Sequence, residues 1–248
     1  MFQKERKKIR YLLSCIMFCW VFSLVGPHLS ADTKIPSSSR SRKAIAKVTP
    51  GLKGALSQKN LNLGDPIFIR IFKFPPELEL WIKSETAFKL FKRYKICTYG
   101  ANGLGPKTKQ GDGKAPEGFY FVIPQRLNPT SNFHLSFNLG YPNRYDRVHK
   151  RTGSALMVHG SCVSIGCYAM TDRSIEEIYT LADAAFRNGQ EFFRVHIFPF
   201  HLTDKNLNKH AGSIWIDFWK NLKPGFDYFE THKVPPNTTV SKGKYVFN

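Results

Sequence analysis

From Pro66 onward the chain alternates apolar and mixed positions in a way that predicts strands. Ile67, Ile69 and Ile71 interleave with Phe68, Arg70 and Phe72, a two-residue period. Residues 78–83 and 86–97 carry further strand patterns, each set off by turn-type residues. Residues 100–118, rich in Gly, Lys and Pro, predict an irregular loop, and 119–123 a strand. Phe133, Leu135, Phe137 and Leu139 alternate with His134, Ser136 and Asn138, so one face is apolar and the other polar. Residues 154–158 predict a short buried strand that delivers His159 at its end. The period then changes. Ile175, Ile178, Tyr179, Ala182 and Phe186 share one helical face over 172–188, with Thr171 or Asp172 to cap its start and Gly189 its end. A strand at 192–198 and helices near 203–209 and 213–222 follow. In the last of these, Trp215, Phe218, Trp219 and Leu222 fall at packing positions.

The remaining segments carry weaker patterns. Residues 32–50, with Ser37, Ser38, Ser39, Arg40, Arg42, Lys43 and Lys47, predict a loose tether, and 52–59 a short helix. The tail from Pro235 is expected to be loosely held. The fold class is therefore mostly β (α+β), a β-sandwich-like domain with peripheral helices. Its expected divisions are 1–31, 32–65 as linker and short helix, 66–200 as the main domain, and 201–248 as a helical extension and tail.

The N-terminus changes how the composition is understood. Lys4, Arg6, Lys7, Lys8 and Arg10 precede an uncharged run over 11–25, too short for a bilayer span of roughly 20 residues but suited to a signal-peptide core ending near Ser30 or Ala31. An uncleaved anchor is the alternative. The formal net charge is +19, and losing residues 1–31 leaves the chain strongly basic. In an exported protein such a surplus points to anionic envelope polymers rather than nucleic acid, or to solubility alone. Cys15 and Cys19 lie in the leader. Three cysteines remain, Cys97, Cys162 and Cys167, and an odd count in an oxidising compartment leaves one thiol unpaired.

The candidate chemistry lies in His159-Gly160-Ser161-Cys162-Val163-Ser164-Ile165-Gly166-Cys167-Tyr168. A thiol becomes a good nucleophile when a base can take its proton, and seven residues separate His159 from Cys167. Gly166 allows a sharp turn, so the amides of Gly166, Cys167 and Gly160 are candidate oxyanion donors. Cys162 is left as a disulfide partner of Cys167, a second thiol without a role, or the nucleophile itself, with the glycine before Cys167 favouring Cys167. Cys97 is expected in the core. A zinc set of His159, Cys162 and Cys167 lacks paired spacing and would need His196 or His201 as a fourth ligand. No metal and no cofactor is expected. His134, Arg144 and Ser164 are candidate substrate contacts. The basic stretch Arg144, Arg147, Lys150 and Arg151, with Tyr141 and Tyr145, is either a carboxylate clamp or a solvated loop.

Ser164-Ile165-Gly166-Cys167 with His159-Gly160 upstream resembles the signature of the YkuD-type L,D-transpeptidases, and Pro116-Glu117-Gly118-Phe119-Tyr120 is similar to a second segment of that family. The resemblance covers roughly residues 66–200. Three departures stand out: the short His-to-Cys spacing, Ile165 in place of a histidine, and Tyr168-Ala169-Met170 where an apolar residue and an arginine are usual. Together they resemble a Gram-negative envelope branch that includes a lipoprotein-releasing murein amidase. The resemblance implies that Cys167 attacks a diaminopimelate carbonyl in a peptidoglycan stem peptide, with His159 as base and then acid and a backbone carbonyl orienting it. It implies a periplasmic enzyme whose acyl-enzyme passes to an amine, or to water in an amidase or L,D-carboxypeptidase, with a wall-linked lipoprotein as a possible partner. A non-catalytic, basic wall-binding module is the reading from a different class.

Overall fold

The structure, a computed structural model, describes residues 35–100 and 103–248, so the signal-peptide expectation, Cys15 and Cys19 lie outside the described residues. Helix α1 (Ser39–Ser57) leads into three antiparallel strands, β1 (Ile67–Phe74), β2 (Glu77–Ser84) and β3 (Ala87–Lys95). The loop after β3 ends in β4 (Gly118–Val122). Short strands β5 (Leu127–Asn128) and β6 (Ser136–Asn138), helix α2 (Arg144–Val148), and strands β7 (Met157–His159) and β8 (Tyr168–Ala169) come next. Helix α3 (Asp172–Arg187), strand β9 (Phe193–Phe200), helices α4 (Asp204–Lys209) and α5 (Ile216–His232), and the hairpin β10 (Thr238–Ser241) and β11 (Lys244–Phe247) complete the chain.

Two sheets form the body. One has the order β3-β2-β1-β9-β4, the other β5-β6-β7-β8. β1 pairs in parallel with β9, and central parallel pairs are covered on both faces, which explains why β1 is apolar at nearly every position. Its Ile67, Ile69 and Ile71 face the main core, shared with Phe137, Val158 and Tyr168 of the second sheet and with Ile175, Ile178 and Ala182 of α3. Phe72 faces the opposite way, into a second cluster with Phe198, Phe200, Trp219 and Phe226. Arg70 lies on that side too. It is bonded to Glu79 and Glu230 and covered by the Trp81 and Phe229 rings.

Three expectations need correction. Residues 39–50, expected within a tether, are helical and continuous with the helix expected from 52, which ends at Ser57. Ser38 and Ser41 form a reciprocal capping box, and Ala44, Leu52 and Leu56 are buried in the main core, which carries α1 across a sequence of poor propensity. The strand expected over 133–139 is reduced to Ser136–Asn138, because His134 takes a left-handed backbone (φ 65°) and breaks the ladder. The tail is not loose: Tyr245 of β11 is buried, stacks on Tyr145 at 4.3 Å, and its hydroxyl accepts from Asn143.

Candidate active site

The second sheet sorts its residues by alternation. In β6, β7 and β8 the fully buried Phe137, Val158 and Tyr168 point into the core. Their neighbours Ser136, Asn138, Met157 and His159 therefore lie on the other face, which is the polar face anticipated around residue 134. The parallel register Val158↔Tyr168 and His159↔Ala169, taken one step back, sets Cys167 beside Met157. The Met157 N–H does donate to the Cys167 Sγ, at 3.4 Å. Nucleophile candidate and base candidate thus share one face, two residues apart along β7. Cys167 is the free cysteine among the described residues.

His159 is 3% exposed. Its Nδ1 lies 2.7 Å from the Gly160 carbonyl, which can only accept, so Nδ1 carries the proton and Nε2 the lone pair. The Phe133 ring covers it, 4.7 Å between centroids. Burial lowers the imidazole below the ordinary histidine range, with the Gly160 carbonyl opposing. Burial likewise raises the Cys167 thiol, while the Met157 N–H and the nearby Lys107 ammonium pull it down. Both shifts favour the uncharged forms of thiol and imidazole. The thiol accepts from Met157 N and donates to the Ala155 carbonyl.

The turn before Cys167 is built around Ser164. Its Oγ accepts from the amides of Gly166 (3.1 Å) and Cys167 (2.7 Å) and donates to the Cys167 carbonyl (2.8 Å). Gly166 has φ 147°, and a Cβ there would press on the Lys114 carbonyl at 3.2 Å, so glycine is required on both counts. Gly160 N is bonded to the carbonyls of Phe133 and Leu135. The expected oxyanion donors Gly160, Gly166 and Cys167 all have internal partners here. Ser164 is likewise a turn-forming residue rather than a free substrate contact.

Cys162 is neither nucleophile nor partner of Cys167: it forms a disulfide with Cys97, which lies two residues beyond β3 and is exposed rather than in the core. That bond removes Cys162 from the conceivable zinc set. His196 is buried between Phe68 and Phe119 on the first sheet, and His201 stacks on Phe72, both with the aromatic cluster there. Ser161 and Cys162 both take left-handed backbone, and Ser161 N donates to Asp172 at the start of α3. Disulfide and Asp172 together fix the turn that follows the histidine.

The other candidates fall outside this cluster. His134 Nε2 meets Glu176 at 3.0 Å. Arg144 is exposed at the start of α2, and among the described residues no hydrogen bond or ion pair joins it to Cys167. Arg151 is buried on Asp146 and over Tyr145 and Phe218, so it holds α2 in place rather than waiting for a carboxylate. What the sequence did not disclose is the Phe133 cover, the Asp172 anchor, and Lys107, buried and paired with Asp112. Val163 and Ile165, in the loop between His159 and Cys167, are 57% and 93% exposed.

The model of the YkuD L,D-transpeptidase catalytic domain matches residues 78–197, a span that includes His159 and Cys167. The Escherichia coli protein YafK, whose name marks it as a candidate L,D-transpeptidase, is 48% identical over 184 residues, 74% of this chain and 74% of its own, in strain K12 and equally in O157:H7. Among solved structures, the helical cell shape determining protein Pgp2 from Campylobacter jejuni is 18% identical, with a TM-score of 0.44 over 71% of this chain and 72% of that one. That overlay is too loose to carry an argument, whereas the sequence match is extensive. The chain belongs to the family of YkuD-type L,D-transpeptidase catalytic domains.

Proposed function

We propose that this protein is a periplasmic cysteine acyltransferase acting on peptidoglycan stem peptides, with Cys167 as nucleophile and His159 as general base. The observation that carries the proposal is the pairing of a free, partly buried thiol with a buried imidazole on one sheet face, the imidazole fixed by the Gly160 carbonyl in the tautomer that leaves Nε2 basic. Nε2 takes the thiol proton as Sγ attacks the carbonyl of the L-centre of diaminopimelate. Collapse of the tetrahedral adduct forms the thioester and expels D-alanine, whose amine takes the proton back from the imidazolium. A second amine then attacks the thioester, releasing the thiol and leaving an amide crosslink. Water in place of that amine gives a carboxylic acid and makes the same site an amidase or carboxypeptidase. Burial of both partners, which disfavours the charged form of each, supports a concerted transfer.

The test is incubation of the purified protein with defined tetrapeptide-stem muropeptides, with products identified by mass. Crosslinked dimers support transfer, and trimmed or released peptides support hydrolysis. A Cys167→Ala variant that retains either activity sinks the proposal. Acylation of Cys167 by a carbapenem, located by peptide mapping, is an independent check on thiol reactivity.

A further inference from the structure

Helix α1 is distant in sequence from the site, yet its polar side chains end beside it. Arg40 Nη1 donates to the carbonyls of Ser131 and His134, at 2.6 and 2.8 Å. Ser38, the N-cap of the helix, donates through Oγ to the Pro129 carbonyl at 2.8 Å. Lys47 pairs with Glu176, whose other oxygen meets His134 Nε2. One helix therefore grips both flanks of Phe133, in a stretch that has no strand ladder of its own.

Phe133 lies with one face over His159 and is otherwise 45% exposed, so its ring is a lid on the imidazole rather than a core side chain. Its carbonyl accepts from Gly160 N, the residue whose own carbonyl fixes His159 Nδ1. The charged and titratable groups grouped around this contact are Asp172, which anchors Ser161 N, and the trio His134, Glu176 and Lys47. None of them contributes to the lowered basicity of His159, which follows burial alone against the Gly160 carbonyl. What covers the ring therefore governs both its orientation and its proton affinity.

We infer that Arg40 is a positioning residue for the general base: by clamping the carbonyls of Ser131 and His134 it holds Phe133 over His159, making α1 a working part of the active site. The inference rests on His159 acting as base, as proposed above. An arginine suits the task because one guanidinium can bridge two carbonyls in a fixed plane, whereas lysine offers a single point charge on a flexible stem.

The test uses the full chain, with NMR titration of the His159 ring, the rate of Cys167 alkylation by iodoacetamide, and kcat and KM on a tetrapeptide stem. Arg40→Met is expected to lower kcat by roughly 10-fold with KM little changed, since small displacements of a catalytic group cost up to about 100-fold. His159 should then titrate nearer the ordinary value of about 6.5. Arg40→Lys should recover part of both effects. Phe133→Ala should reproduce them, and the double variant should add nothing further, because the two residues act along one route. An Arg40→Met protein that loses thermal stability while His159 titrates as in wild type overturns the inference. So do additive losses in the double variant. Should wild type leave the stem peptide untouched, the proposed substrate fails, while the titration and alkylation readouts still decide the role of Arg40.

Discussion

Ser164 holds the Cys167 peptide unit from both sides, accepting its amide proton at 2.7 Å and donating to its carbonyl at 2.8 Å. A hydroxyl can do both because it carries one proton and two lone pairs. Ser164→Ala leaves the Gly166 and Cys167 amides and one carbonyl without these partners in a half-buried turn. A loss of about 1–3 kcal/mol in unfolding free energy is expected from such deletions. Ser164→Thr, which keeps the hydroxyl, should retain most of the stability and of the Cys167 alkylation rate. Urea denaturation and iodoacetamide kinetics measure the two effects.

The opposite shifts of thiol and imidazole give the protein a defined pH response. Cys167 lies above the ordinary thiol value, so its direct alkylation should climb on the alkaline side of neutrality, without the acidic plateau of a preformed ion pair. His159 lies below the ordinary histidine value, so its basic form persists into mildly acidic solution. The acid limb of turnover should therefore fall below about 6.5. A limb above that value would contradict the buried imidazole.

Stability should respond to acid in the same direction. His196 is fully enclosed among aromatic rings, and burial holds it well below the ordinary value, helped by the charges of Arg194 and Arg70. A histidine depressed in the folded state binds its proton more readily unfolded. The folded form is thus favoured above about 6.5 and loses stability as pH falls below it. His196→Leu should flatten this part of the curve, as read from thermal melts between neutral and mildly acidic pH.

Lys73 and Glu117 are both inaccessible and 3.0 Å apart. The ammonium also donates to the Gly105 and Ala115 carbonyls, and the carboxylate accepts from Gly105 N and Trp219 Nε1. Both edges of the loop beside Gly166 are thereby fixed to β1 and α5. Lys73→Met strands a buried carboxylate and should cost about 3–5 kcal/mol. Adding Glu117→Gln should restore part of it, measured as midpoint shifts in guanidinium.

The disulfide between Cys97 and Cys162 spans 65 residues. Replacing both cysteines by serine should destabilise the chain by about 2–4 kcal/mol. Because the bond also pins the turn after His159, the loss should be accompanied by slower alkylation of Cys167 under identical conditions.

Much of this was legible in the sequence for identifiable reasons. The strand of β1 and the helix α3 were visible because their apolar residues recur at strand and helix spacing. The odd cysteine count called for an unpaired thiol, and Cys167 has it. The first half of α1 was hidden because its stability comes from packing, with Ala44 meeting the rest of the core, and local propensity carries no trace of that. The bond from Cys97 was hidden because connectivity is a property of the folded path. The motif indicates which amides lie near the nucleophile, but not that the Ser164 hydroxyl accepts from two of them.

Tyr168, the residue after the nucleophile, is fully enclosed, and its hydroxyl donates to the Pro116 carbonyl at 2.8 Å. Strand geometry lets adjacent side chains point only to opposite sides, so anchoring the phenol inward obliges the sulfur to face outward. Reactivity at this position is in that sense inherited from packing beneath it. A substitution that loosens the socket around the phenol should surface first as a kinetic defect, before any measurable unfolding.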